Sequence, residues 1–211
     1  MSDLTGIPKE LCGVDKSQWC EYAAKRGNLG TLQWARSHDA PWNITCARAA
    51  FNDHLEILQW ARSHGAPWDK LVCALAAANG HLEILQWARS HGAPWDEMTC
   101  SYAASNGHLE ILQWARSHGA PWSRWICDCA LENEHFGVLQ WAISNGAPWD
   151  HKSIMDSEQL ILHHYRGVAV CLMKHKRGTP KIDLMSKRFI CKLYMSLPLI
   201  SPLCDLIINY G

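Results

Sequence analysis

The stretch Leu-Gln-Trp-Ala-Arg-Ser-His recurs from Leu32, Leu58, Leu85 and Leu112, and an altered copy, Leu-Gln-Trp-Ala-Ile-Ser-Asn, starts at Leu139. The steps between them are 26, 27, 27 and 27 residues. A chain written this way folds as a row of like units. Each unit is one supersecondary element that cannot bury its own apolar faces and is stable only against its neighbours. Every copy closes on a Pro-Trp pair, at Trp42, Trp68, Trp95, Trp122 and Trp149, and a cysteine holds one phase in each, at Cys20, Cys46, Cys73, Cys100 and Cys127. Five units thus run over residues 17–150, after a lead-in at 1–16. The copying also accounts for 12 tryptophans beside only 3 phenylalanines.

The third copy shows what one unit is. Residues 73–79 are small and alanine-rich, which predicts a short helix packed close to its neighbours. Gly80 then allows a tight turn at positive φ, and residues 81–91 read as a second helix. On a helical wheel Leu82, Ile84, Leu85, Trp87 and Ala88 cover more than half the circumference, with Glu83, Gln86 and Ser90 in the remainder. A helix that apolar needs cover from its hairpin mate and from equivalent helices on both sides. Gly92 stops the helix and Pro94 keeps it from resuming. The fold class expected is all-α: a solenoid of helix-turn-helix repeats joined by Pro-Trp connectors. The Leu85-type and Trp87-type residues are expected to dominate its stability.

The segment Asn-Gly-His-Leu-Glu-Ile-Leu-Gln-Trp-Ala-Arg-Ser-His-Gly-Ala-Pro-Trp resembles the second half of an ankyrin repeat, most tellingly in its Asn-Gly-His-Leu-Glu portion. The period is 27 residues, against about 33 in that family. Trp95 runs directly into Asp96-Glu97-Met98-Thr99-Cys100, which puts the shortfall in the hairpin finger that separates ankyrin repeats. The chain looks like the short, Trp-rich ankyrin-type repeats of algae and large DNA viruses. The resemblance implies an ankyrin-like α-solenoid with shortened fingers that binds a partner protein.

Catalytic, metal and redox chemistry find little support. The phased cysteines stand one repeat apart. Packed helices lie about 8–10 Å from each other, beyond the ~7 Å Cα limit of a disulfide. They read as small buried hydrophobes. The histidines form two phased sets, His54, His81, His108 and His135 opening the second helix and His38, His64, His91 and His118 closing it. Ten residues of helix separate the two sets by about 15 Å, so they do not share a metal ion. The first set is expected to bond backbone of adjacent turns, and the second suits a helix C-terminus. No Gly-rich phosphate loop, Ser/His/Asp constellation or His-Glu-x-x-His helix is present. No catalytic residue, metal site or cofactor is expected.

Twenty basic and 20 acidic residues cancel, and residues 1–150 carry 11 Lys/Arg against 16 Asp/Glu. That balance argues against a nucleic-acid partner, so the phased Arg36, Arg62, Arg89 and Arg116 are read as a solvated outer face. The longest apolar stretch, at 189–208, is broken by Lys192, Pro198, Pro202 and Asp205, so no membrane span is expected. The N-terminus has no run of signal-peptide character, which points to an intracellular, cytoplasmic protein, in the host cytoplasm if viral, and to a monomer.

Comparing the copies separates what the fold demands from what it leaves free. Leu85, Gln86, Trp87, Ala88, Ala93, Pro94 and Trp95 mark fixed positions. The variable ones cluster on the first helix and the connector, the side by which ankyrin-type stacks usually hold partners. Tyr, Trp and Arg carry binding hot spots, which selects Tyr22, Arg48, Tyr102, Arg124 and Trp125 as partner-binding candidates.

After residue 150 the phase breaks. Residues 151–180 read as a degenerate sixth unit or cap, and 181–211 as a C-terminal helical segment. This last part is similar to a SOCS box, the module that joins substrate receptors to Elongin-type ubiquitin ligases. Ile190-Cys191-Lys192 and Leu197-Pro198-Leu199 with Leu203 carry the likeness, and an F-box-like segment is a second candidate. The resemblance implies adaptor docking through Ile190, Cys191, Leu197, Pro198 and Leu203. The alternative is a terminal helix pair that seals the stack.

Overall fold

The computed structural model describes residues 7–149. The sixth unit at 151–180 and the segment at 181–211 lie outside the described residues. The chain divides into two compact units, Met1–Ser123 and Arg124–Gly211, so the boundary falls at the start of the fifth copy.

The first unit holds four helix pairs: α1 (Trp19–Arg26) with α2 (Leu29–Ser37), α3 (Thr45–Phe51) with α4 (Leu55–Ser63), α5 (Lys70–Ala78) with α6 (Leu82–Ser90), and α7 (Glu97–Ser105) with α8 (Leu109–Ser117). The second unit contains the pair α9 (Ile126–Glu132) and α10 (Phe136–Ser144). No strand occurs among the described residues, and the class is an all-α repeat solenoid. The first helices α5 and α7 start earlier than their small-residue segments suggest. Asp69 and Asp96, directly after each Pro-Trp, accept from the backbone N–H of Leu71 and Met98 at 2.9 Å and so nucleate α5 and α7.

Small side chains set the spacing of the stack. The contact positions of α1, α3, α5 and α7 are Ala23, Ala24, Ala49, Ala50, Ala76, Ala77, Ala103 and Ala104 with the phased cysteines, all fully or almost fully buried. These helices pack on one another in series, each also against its own second helix. Leu32, Leu58, Leu85 and Leu112 fill the interior from α2, α4, α6 and α8, and each is wholly buried. The tryptophans of the same helices are only half-buried. The deep core is therefore leucine, isoleucine, alanine and cysteine, with the indoles forming its wall.

Both turns of a unit end in the same way. Gly92 sits at φ 83°, with its N–H on the Arg89 carbonyl at 3.1 Å and the Ala93 N–H on the Ala88 carbonyl at 2.9 Å. This is a Schellman end whose hydrophobic contact is the buried pair Ala88 and Ala93. After α5, Gly80 at φ 82° does the same, the His81 N–H reaching the Ala76 carbonyl at 3.0 Å. A Cβ on Gly80 would also lie 2.9 Å from Cε1 of His108, whose Nε2 faces the Ala78 carbonyl at 3.2 Å. In three turns the left-handed position is taken by an L-residue, Asp39, Asp53 and Glu134, at φ 57°, 62° and 59°.

The stack's first junction is closed from within its own repeat. No Pro-Trp precedes α2, and Trp19 of α1 stands in, its ring 5.2 Å from that of Trp34 and its Nε1 donating to the Val14 carbonyl at 2.9 Å.

Strain at the left-handed positions is open to test by chemical denaturation. Replacing Asp39 by Gly should stabilise the first unit by about 0.5–1 kcal/mol, because glycine carries no Cβ penalty there. Gly80→Ala should destabilise it by about 1 kcal/mol or more, since it adds the same penalty and displaces His108. Gly92→Ala, with no atom near its Cβ, should cost less than Gly80→Ala.

Candidate binding surface

The two faces of a repeat are built for different ends. On the second-helix side the fixed residues form one clamp, repeated. Arg62 lays its guanidinium 4.1 Å over the Trp68 ring and donates from Nη1 to the Ala66 carbonyl at 2.5 Å. Trp68 meets Trp87 of the next repeat edge-on at 5.9 Å, and Trp87 stacks on His91 at 4.2 Å. His91 turns Nδ1 to the Trp87 carbonyl at 2.8 Å, with Ser90 Oγ at 3.0 Å. Arg36, Arg89 and Arg116 repeat the pattern over Trp42, Trp95 and Trp122, each also donating to an alanine carbonyl four residues on.

This corrects the reading of the arginine stripe as a solvated face. The helix ends one residue after each arginine, and the turned chain brings a free carbonyl and an indole face back within its reach. An exposed cation–π contact is worth about 0.5–1 kcal/mol, and a hydrogen bond from a charged donor about 1.5–3 kcal/mol. The arginines are structural rivets. Sequence phase alone could not reveal this, because it hides where the chain goes after the turn.

The histidines divide as expected. His81 and His108, opening α6 and α8, point Nε2 at the Phe51 and Ala78 carbonyls of the preceding repeat at 3.1 and 3.2 Å. His81 also has Asp53 3.5 Å from Nδ1. His38, His64, His91 and His118 close the second helices against tryptophan rings. Among the described residues no group of three or more His, Cys, Asp or Glu could hold a metal ion, and no helix is long and apolar enough to cross a membrane.

The phased cysteines are free thiols in the interior. Burial is the main cause that pushes Cys20 and Cys46 up to about 11 and Cys73, Cys100 and Cys127 up to about 12. At ordinary pH they hold almost no thiolate, the form that reacts.

The first-helix side differs. Positions two residues after each cysteine bring Tyr22, Arg48, Leu75 and Tyr102 into one register on α1, α3, α5 and α7, all half-buried. Tyr22 has the Arg26 guanidinium 5.3 Å above its ring. Arg48 donates from Nε to Glu21 at 2.7 Å and is not a free cation. Residues at i, i+4 and i+7 share that face, adding Ile44 and Phe51 around Arg48, Leu71 before Leu75 and Met98 before Tyr102. Ile44 and Phe51 are 44% and 40% exposed. Phe51 escaped the sequence reading because it lies outside the variable pairs beside the cysteine. Helical spacing from Ile44 and Arg48 would have found it. Arg124 and Trp125 belong to the second unit, where the guanidinium lies 4.1 Å over an indole that is 52% exposed. The structure thus brings Tyr22, Arg48 and Tyr102 together in one unit. The adaptor candidates Ile190, Cys191, Leu197, Pro198 and Leu203 lie outside the described residues.

The first unit is thus a stack of helical hairpins with a riveted second-helix side, its outer wall, and a variable first-helix side, its inner face, which is the build of a repeat scaffold. The family model described as ankyrin repeats (many copies) matches residues 46–89, 71–116 and 100–143. Residues 46–143 are ankyrin repeats, in agreement with the resemblance read from the Asn-Gly-His-Leu-Glu turns. No curated protein sequence matches the chain.

Two measurements test the division of labour. Arg89→Lys should lower stability by about 1–2 kcal/mol in urea melts, since a lysine keeps the charge but loses the planar stack and the fork. Iodoacetamide labelling at pH 8, mapped by mass spectrometry, should modify exposed Cys12 well before Cys20, Cys46, Cys73, Cys100 and Cys127. Denaturant should abolish that order, because the unfolded thiols return to their ordinary values.

Proposed function

We propose that this chain is a non-enzymatic, intracellular scaffold that holds a partner protein on the first-helix face of its repeats. Ankyrin repeats are general protein-interaction modules. The observation that carries the reading is the register of half-exposed apolar and aromatic side chains on α3, α5 and α7. In the first four copies the buried cysteine two residues before this row and the two buried alanines after it stay the same, so the fold asks for no particular large side chain in the row itself. The variation between copies supports the same reading: residues 54–68, 81–95 and 108–122 are identical to one another, while the first helices differ. Tyr22, Arg48 and Tyr102 belong to this surface, and Arg124 with Trp125 would serve a contact in the second unit. The sequence likeness of 181–211 to an adaptor-docking module supports a narrower reading, recruitment of the bound protein to a ubiquitin ligase.

Affinity purification of the full chain from its native cell tests the scaffold. Leu75→Glu or Tyr102→Ala should lower partner recovery by about tenfold or more, the scale of a binding hot spot, without changing the thermal melt. Gln86→Lys, on the exposed side of α6, should leave recovery unchanged. Equal loss in all three variants, or in none, sets the inner face aside. Recovery of an Elongin- or Skp-type adaptor by the full chain, abolished by Leu197→Ala with Leu203→Ala, is the outcome expected of the ligase reading.

A further inference from the structure

The inner face of the first unit neutralises its own charges. Arg48 is paired with Glu21 at 2.7 Å, and Lys70 Nζ with Asp96 at 2.8 Å. Asp96 is doubly committed, because its other carboxylate oxygen caps α7. What the face offers beside these pairs is an apolar stripe: Ile44, Phe51, Leu71, Leu75, Met98 and Tyr102.

We infer, on the reading just given, that the occupant of this stripe is an amphipathic α-helix of the partner, seated by apolar contact and not by charge. Three observations carry it. The ion pairs are closed within the fold, so a strongly charged ligand would meet no unpaired counter-charge from Arg48 or Lys70. The face is made of helix sides, whose N–H and C=O groups bond within their own helices. An extended segment laid on it would bury its backbone polar groups without partners, at a penalty for each. A helix satisfies its own backbone and presents only side chains, which is the match such a surface accepts. The dimensions agree: three helices at about 8–10 Å spacing make a stripe of about 16–20 Å from α3 to α7. Roughly 12 residues of helix, just over three turns, cover it.

The test uses the full chain as bait for two displayed peptide libraries of about 14 residues and equal composition. In one, apolar residues fall at i, i+3, i+4 and i+7. In the other they alternate. Enrichment from the helical library is expected, with selected peptides gaining helicity by circular dichroism on binding. Their affinity should fall about tenfold or more for Phe51→Glu and for Leu75→Glu. It should change less than about twofold between low and high salt. Thermal melts check that the variants fold, and the milder pair Phe51→Gln and Met98→Gln replaces any that does not. Enrichment of alternating or strongly salt-sensitive peptides that still need Leu75 overturns the helical occupant but leaves the binding face standing. Selected peptides indifferent to every one of these substitutions overturn the face itself. No enrichment from either library overturns the helical occupant, whatever native partners the purification recovers.

Discussion

Each connector indole of the first three repeats is held between a guanidinium of its own repeat and an indole of the next. Other bonds cross the seams, among them His81 and His108 to carbonyls of the preceding repeat and Arg48 to Glu21, but among the described contacts the indole one recurs at all three. Small residues allow close approach, and the tryptophans decide where the approach stops. Arg62, Trp68, Trp87 and His91 show the arrangement in full: cation on ring, ring on ring, ring on imidazole, imidazole on backbone. The half-burial of these rings follows from it. An indole wedged between two repeats must lie at the wall of the stack, where both can reach it.

The inner face is free because the outer wall is not. With register held by the second helices and connectors, substitutions on the outward side of α1, α3, α5 and α7 leave the interior untouched. That is why Tyr22, Arg48, Leu75 and Tyr102 can occupy one position in four successive copies while the buried cysteine two residues before them and the two buried alanines after them stay the same. The clamps that hold the register and the face proposed for binding thus belong to different helices of the same unit.

Much of this was legible in the residues themselves. Helix pairs, left-handed turns at Gly80 and Gly92, buried cysteines and backbone-bonded histidines all follow from local periodicity and from properties each residue type carries everywhere. The arginine rivets were not legible, because their partners come from a chain reversal that no wheel or period describes. The pairing of Arg48 with Glu21 was hidden for a similar reason: the two lie 27 residues apart and meet only once neighbouring helices are stacked. Helix starts were misjudged where Asp69 and Asp96 extend α5 and α7 beyond their alanine-rich segments. Of the candidate surface, the aromatic and basic members stood out by type, whereas Phe51 and Leu75 gain meaning only as neighbours on a helical face.

The stand-in role of Trp19 has a consequence for how such a chain changes over generations. Its ring supplies to the first hairpin what the second, third and fourth each receive from the one before. The indole seams among these four hairpins are then chemically alike. Unequal crossing-over that gains or drops one whole period leaves matching seams on either side of the splice. The first-helix face can therefore lengthen or shorten in steps of one module.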